Sequence, residues 1–89
     1  MTEQPETLLE FPCQFPIKAM GKADIEFDLL VLEIVQKHAH VPEKIVMNTR
    51  SSKNGSYLAV TVIIEAQSKL ELDTIYQQLS SHPLVLMAI

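Results

Sequence analysis

Eighty-nine residues, with 7 Lys and Arg against 11 Asp and Glu and a net charge of −4, make one small domain of acidic balance. Nucleic-acid binding leans on clustered Lys and Arg that displace counterions from phosphates, so this balance argues against it as a main role. The single cysteine, Cys13, excludes an internal disulfide and a paired-thiolate metal site, and no apolar run approaches the roughly 18 residues of a membrane span.

The opening stretch, 1–10, is largely polar at its start and carries Pro5; it is expected to be flexible, with one folded domain over 11–89. Leu8, Leu9 and Phe11 form a small apolar cluster suited to docking on the domain edge. No basic segment leads into an apolar core, so the chain reads as cytoplasmic. In FPCQFPIKAMG, Pro12 and Pro16 cannot donate to a ladder, which confines pairing to the later part of the segment or to a free side. The first strand is expected over 15–20, with Phe15, Ile17 and Ala19 on one face and Gly21 ending it.

Asp24 is the expected N-cap of a helix over 25–39, with Glu26 and Asp28 in the first turn, where the helix dipole favours negative charge. At 100° per residue Glu26, Glu33, Gln36 and Lys37 share one arc, opposite Phe27, Val31, Leu32, Ile34 and Val35. Leu29 falls near the polar side, as a boundary residue or part of a partner surface. Pro42 stops the helix. A second strand is expected over 44–50, with Ile45, Met47 and Thr49 favoured inward over Val46, Asn48 and Arg50.

Ser-Ser-Lys-Asn-Gly-Ser then makes a hairpin, Asn54-Gly55 being its strongest signal. The strand at 57–65 is central: Leu58, Val60, Val62 and Ile64 form one apolar face, and Tyr57, Ala59, Thr61, Ile63 and Glu65 a mixed one. Ser68 and Glu71 are spaced as a capping box, in which the Glu reaches back to the cap. Leu72, Ile75, Tyr76 and Leu79 give an amphipathic helix, broken at Pro83. The apolar run 84–89 has strand length and should be paired. The order strand, helix, strand, strand, helix, strand gives an α+β fold: a ferredoxin-like βαββαβ two-layer sandwich, with a four-stranded antiparallel sheet and both helices on one face.

Chemistry is sparse. An acylphosphatase of this topology needs an arginine in a phosphate-cradling loop, and the loop at 20–24 has none. Lys22 alone is placed to meet an anion at the helix N-terminus. An RNA-binding sheet needs stacking aromatics, and the mixed face offers only Tyr57. His38 and His40 point apart on a helix and suit its C-terminal dipole better than a metal. Cys13 has no base beside it and reads as a small apolar residue. No acid, base and nucleophile set is visible, so no catalytic activity, cofactor or metal is expected. Depending on the register of the second strand, Lys18, Arg50 and Lys53 are expected to cluster near the hairpin as a small positive patch, either a solvated rim or a site for an acidic partner or anion.

Four segments carry a resemblance: LLEFPCQFPIKAMG, HAHVPE, SSKNGSYLAVTV and IYQQLSSHPLVLMAI. Together they are similar to the YbeD-like family of small bacterial proteins of unknown function, often described as lipoic acid regulators. The hairpin departs from the family's SSKG pattern by the extra Asn54. The resemblance implies a fold similar to ACT regulatory domains, which bind small effectors near the first strand–helix loop, commonly across a homodimer. It would make Gly21 a ligand contact beside Lys22, and it links the chain to lipoate metabolism. The functional expectation is a non-catalytic regulatory or interaction module that senses a small metabolite, or meets an acidic partner through Lys18, Arg50 and Lys53. The alternatives are a protein–protein adaptor without a small ligand and an RNA-binding module. A homodimer is expected, and neither nucleic acid nor membrane is an expected partner.

Overall fold

A computed structural model describes residues 10–89, so the flexibility expected of the opening stretch and the docking of Leu8 and Leu9 fall outside the described residues. In chain order the elements are β1 (Cys13–Lys22), α1 (Phe27–His38), β2 (Val46–Ser51), β3 (Tyr57–Ala66), α2 (Lys69–Ser81) and β4 (Met87–Ala88). The sheet is antiparallel throughout, in the order β2-β3-β1-β4. This is the expected α+β sandwich. Among the described residues no helix is long and apolar enough to cross a membrane.

The core follows from two periodicities. At period two, Ile17 and Ala19 of β1 and Val60, Val62, Ile64 and Ala66 of β3 turn inward. At helical spacing, Phe27, Val31 and Val35 of α1 and Leu72, Ile75 and Leu79 of α2 meet them. Phe15 and Tyr76 close one end edge to face, with ring centroids 6.4 Å apart. Leu29, out of register with the apolar arc, is exposed.

β1 is longer than expected, and Gly21 does not end it. Gly21 pairs with Leu58 inside the strand and faces the Phe27 ring. A methyl group there would overlap Phe27 Cδ1, Cε1 and Cζ, the last at 2.7 Å. Close packing, not a turn, is what requires glycine here. The chain turns later, through a 3-10 turn at Ala23–Ile25 and Glu26, which holds a left-handed φ of 52° as the N-cap of α1. Asp24 is therefore not the helix cap; it lies inside that 3-10 turn.

Pro16 takes the free side. Lys18 N–H and C=O both bond to Ile89, so at period two Pro16 faces the same edge, one step beyond the paired residues of β4. No described residue pairs with that edge, so no N–H is called for there.

β2 starts at Val46 because Pro42–Lys44 forms a second 3-10 turn with proline at its start. Met47 pairs with Val62, and Ile45 and Met47 pack on the core, so the favoured register holds. The hairpin turn centres on Lys53 and Asn54: Gly55 N–H donates to Ser52 C=O at 3.0 Å, and Gly55 itself follows at φ 79°. The Ser68 hydroxyl caps α2 by accepting Glu71 N–H at 3.1 Å. The Glu71 carboxylate reaches one residue further back than a capping box requires, to Gln67 N–H at 2.6 Å.

The expected strand over 84–89 shrinks to Met87–Ala88. Val85 N–H bonds back to His82 C=O, which holds the preceding residues in a turn, and Leu86 N–H reaches Met20 C=O. Val85 is buried, while Leu84, Leu86, Met87 and Ile89 are exposed.

Candidate functional site

The helices cover one face of the sheet, and no described element covers the other. Because Ile17, Ala19, Val60 and Val62 point into the core, their strand neighbours point out. Cross-strand pairing sorts these outward residues into rows: Met20, Ala59 and Arg50 in one, Lys18, Thr61 and Asn48 in the next. Ala59 and Thr61, on a central strand, have short side chains, and Lys18, Met20 and Arg50 around them have long ones. The sheet therefore dips at its centre.

The dip holds two adjoining hollows. One of about 370 Å³ is lined by Lys18, Asn48, Thr49, Arg50, Ala59 and Thr61. The other, of about 110 Å³, is lined by Lys18, Ala19, Met20, Ala59, Met87 and Ile89 and is almost wholly apolar. Lys18 and Ala59 belong to both. Among the described residues neither Lys18 nor Arg50 has an ion-pair partner. The nearest carboxylate along the outward side of β3, Glu65, is engaged by Lys44 at 3.0 Å. That hydrogen bond, with a second from Gln67, holds the Glu65 carboxyl below its ordinary value.

The structure thus brings Lys18 and Arg50 to one hollow and leaves Lys53 apart, exposed in the hairpin turn. It also separates Gly21 from Lys22, since strand neighbours face opposite ways. Gly21 lies under the Phe27 ring, which covers its helix-facing side. Lys22 instead lines a hollow of about 360 Å³ with Asp24, Gly55, Ser56 and Tyr57. His38 ends α1; His40 lies beyond the C-cap Ala39 and gives its backbone N–H to Glu71. Cys13 is half-buried against the core. Among the described residues no three His, Cys, Asp or Glu side chains converge as a metal site.

Met20, Asn48, Met87 and Ile89 were not singled out by sequence reasoning. Met20 shares a strand face with Lys18, and Asn48 with Arg50, at period two, but only the pairing register brings the two faces together and adds Met87 and Ile89. The usable signal was Ala59, a small residue in the middle of a β-branched strand.

A family model described as "Protein of unknown function (DUF493)" matches residues 6–89. A UPF0250 protein of Nitrosomonas europaea is 47% identical over 87 residues, covering 98% of each chain. A UPF0250 protein of Chromobacterium violaceum is 39% identical over 89 residues, covering both chains completely. Among solved structures, protein HP0495 from H. pylori superposes with a TM-score of 0.72, covering 100% of this chain and 98% of that one. Its 15% identity makes that a likeness of fold alone. The family match and the close relatives are consistent with the YbeD-like resemblance, and the chain belongs to the DUF493 (UPF0250) family of small bacterial proteins of unknown function.

Proposed function

We propose that this protein is a non-catalytic binding module that engages an anionic group on the open face of its sheet. One observation carries the reading: Lys18 and Arg50 line one hollow floored by Ala59 and Thr61, and neither has an ion-pair partner among the described residues. Two cations brought together on an acidic protein repel each other mildly, and an anion between them relieves that cost. Arg50 adds a planar fork suited to a carboxylate or phosphate, and Asn48 and Thr61 add hydrogen-bonding groups beside it.

The test is amide chemical-shift mapping with acetate and inorganic phosphate at low ionic strength. Shifts centred on Lys18, Arg50 and Thr61, lost in the Lys18→Gln/Arg50→Gln variant, are the expected outcome. Equal shifts in that variant would remove the reading.

A second reading rests on the hollow at Lys22. There Lys22 and Asp24 present opposite charges beside Ser56 and Tyr57, a pattern suited to a small zwitterion such as an amino acid. It is the form in which a metabolite-sensing role fits the geometry, with Lys22 and Asp24 in place of Gly21. A thermal-shift panel of amino acids repeated on Lys22→Gln separates it from the first reading.

A further inference from the structure

We infer that the open face takes an extended segment of a partner protein, carrying an acidic residue and, two positions on, a large apolar residue. The inference rests on the anion-binding reading and adds the class of partner. Its basis is that a cationic hollow and an apolar one adjoin. Lys18 and Ala59 line both, so an occupant of one stands against the other.

The spacing suits a peptide. The cationic hollow spans β1, β3 and β2, and the apolar one spans β4, β1 and the Ala59 position of β3. Their centres are therefore displaced by about one to two strand spacings, roughly 5–10 Å. In an extended chain, side chains two positions apart share a face at about 6.6–6.8 Å. A segment crossing the strands would set its carboxylate between Lys18 and Arg50 and its apolar side chain among Met20, Met87 and Ile89. Methionine side chains adapt to varied apolar shapes, which suits a lining for partner contacts. Met87 and Ile89 are more than half exposed, at 52% and 67%, and Met20 is at 39%, so the apolar hollow stands open to a partner.

Charge decides among other occupants. In a face-to-face pair of copies centred on this hollow, the Lys18 and Arg50 cations of one copy would face those of the other, with no acidic side chain in these rows to offset them. A nucleic-acid strand would find a floor of Ala59 and Thr61, without an aromatic platform, on a chain of net charge −4.

The test uses the full chain, isotopically labelled, and blocked pentapeptides of sequence Ser-Glu-Ser-Leu-Ser. Controls replace Glu by Gln or Leu by Ala, and further arms use hexanoate and oligouridylate. The expected result is millimolar binding mapped to Lys18, Met20, Arg50, Ala59 and Thr61. Each control should weaken it about tenfold. Ala59→Leu, which fills the dip from the solvent side, should abolish it while leaving the rest of the spectrum in place. Unchanged affinity with either control peptide overturns the inference, as does hexanoate binding as tightly as the peptide, or oligouridylate shifting these amides in the peptide's place. If acetate still shifts Lys18 and Arg50 while the Leu adds nothing, the peptide inference falls and the anion site stands.

Discussion

One oxygen of the Glu71 carboxylate accepts the backbone N–H of His40 at 2.7 Å, across 31 positions of sequence. The other accepts Gln67 N–H at 2.6 Å, and the residue is only 2% exposed. A single side chain thus fastens the exit of α1 to the entry of α2.

Removing it leaves two amides without their acceptor. An unsatisfied buried donor costs about 1–3 kcal/mol; both amides here are only part-buried and water reaches them, so Glu71→Ala should lower stability by about 1–3 kcal/mol in total. Glu71→Gln should lose less, because its one amide oxygen still serves one of the two N–H groups. Urea unfolding of both variants checks the order; equal stability of wild type and Glu71→Ala would dismiss the tie.

Gly21 and Phe27 should behave as a coupled pair. Gly21→Ala forces a methyl into the Phe27 ring and should cost about 1–3 kcal/mol, as overpacked cores do. Phe27→Leu in that background should cost less than Phe27→Leu alone, since the smaller side chain makes room. A double-mutant cycle on unfolding midpoints measures this. Additive losses would mean that the two residues do not press on each other.

Glu65 should titrate below its ordinary value of 4.5, chiefly through the Lys44 hydrogen bond and then through Gln67. A carboxyl depressed by folding contributes stability that is complete above its unfolded value and is lost as pH falls through the folded one. The loss should therefore fall below pH 4.5, and Lys44→Met should move the Glu65 titration back up. Side-chain carboxyl NMR reads both. The exposed Lys44 end makes the stability effect small.

Gly55 holds a left-handed φ of 79° with open space around it. Gly55→Ala should cost about 1 kcal/mol through backbone strain alone, and Gly55→Asn less, because Asn tolerates that region. Thermal unfolding of the two variants tests the ranking.

The fold was legible because the apolar patterns were strong and agreed with the turns. Val60, Val62 and Ile64 at period two, and Leu72, Ile75 and Leu79 at helical spacing, admit few other arrangements. Errors came where a residue has several uses. Gly21 reads as a turn in sequence, since nothing local announces a phenylalanine ring six positions on lying over it. Glu71 fits a local cap by spacing, but its second partner, His40, is a long-range neighbour that only packing supplies. The terminal apolar run suggested a full strand, yet Val85 N–H turns back to His82 and spends part of it. The candidate site was half legible. Lys18 and Arg50 were visible as charges, whereas the dip between them is a property of register, set by pairing across three strands.

Pro16 carries a consequence for self-association. A sheet lengthens into a fibre only when both of its margins can accept another strand. On the β1 side, β4 is two residues long and the backbone beyond it meets a proline, which breaks any run of donors. Among the described residues only β2 presents an unbroken margin. Copies joined through it would close as a pair, since the described residues offer a third copy no second unbroken margin.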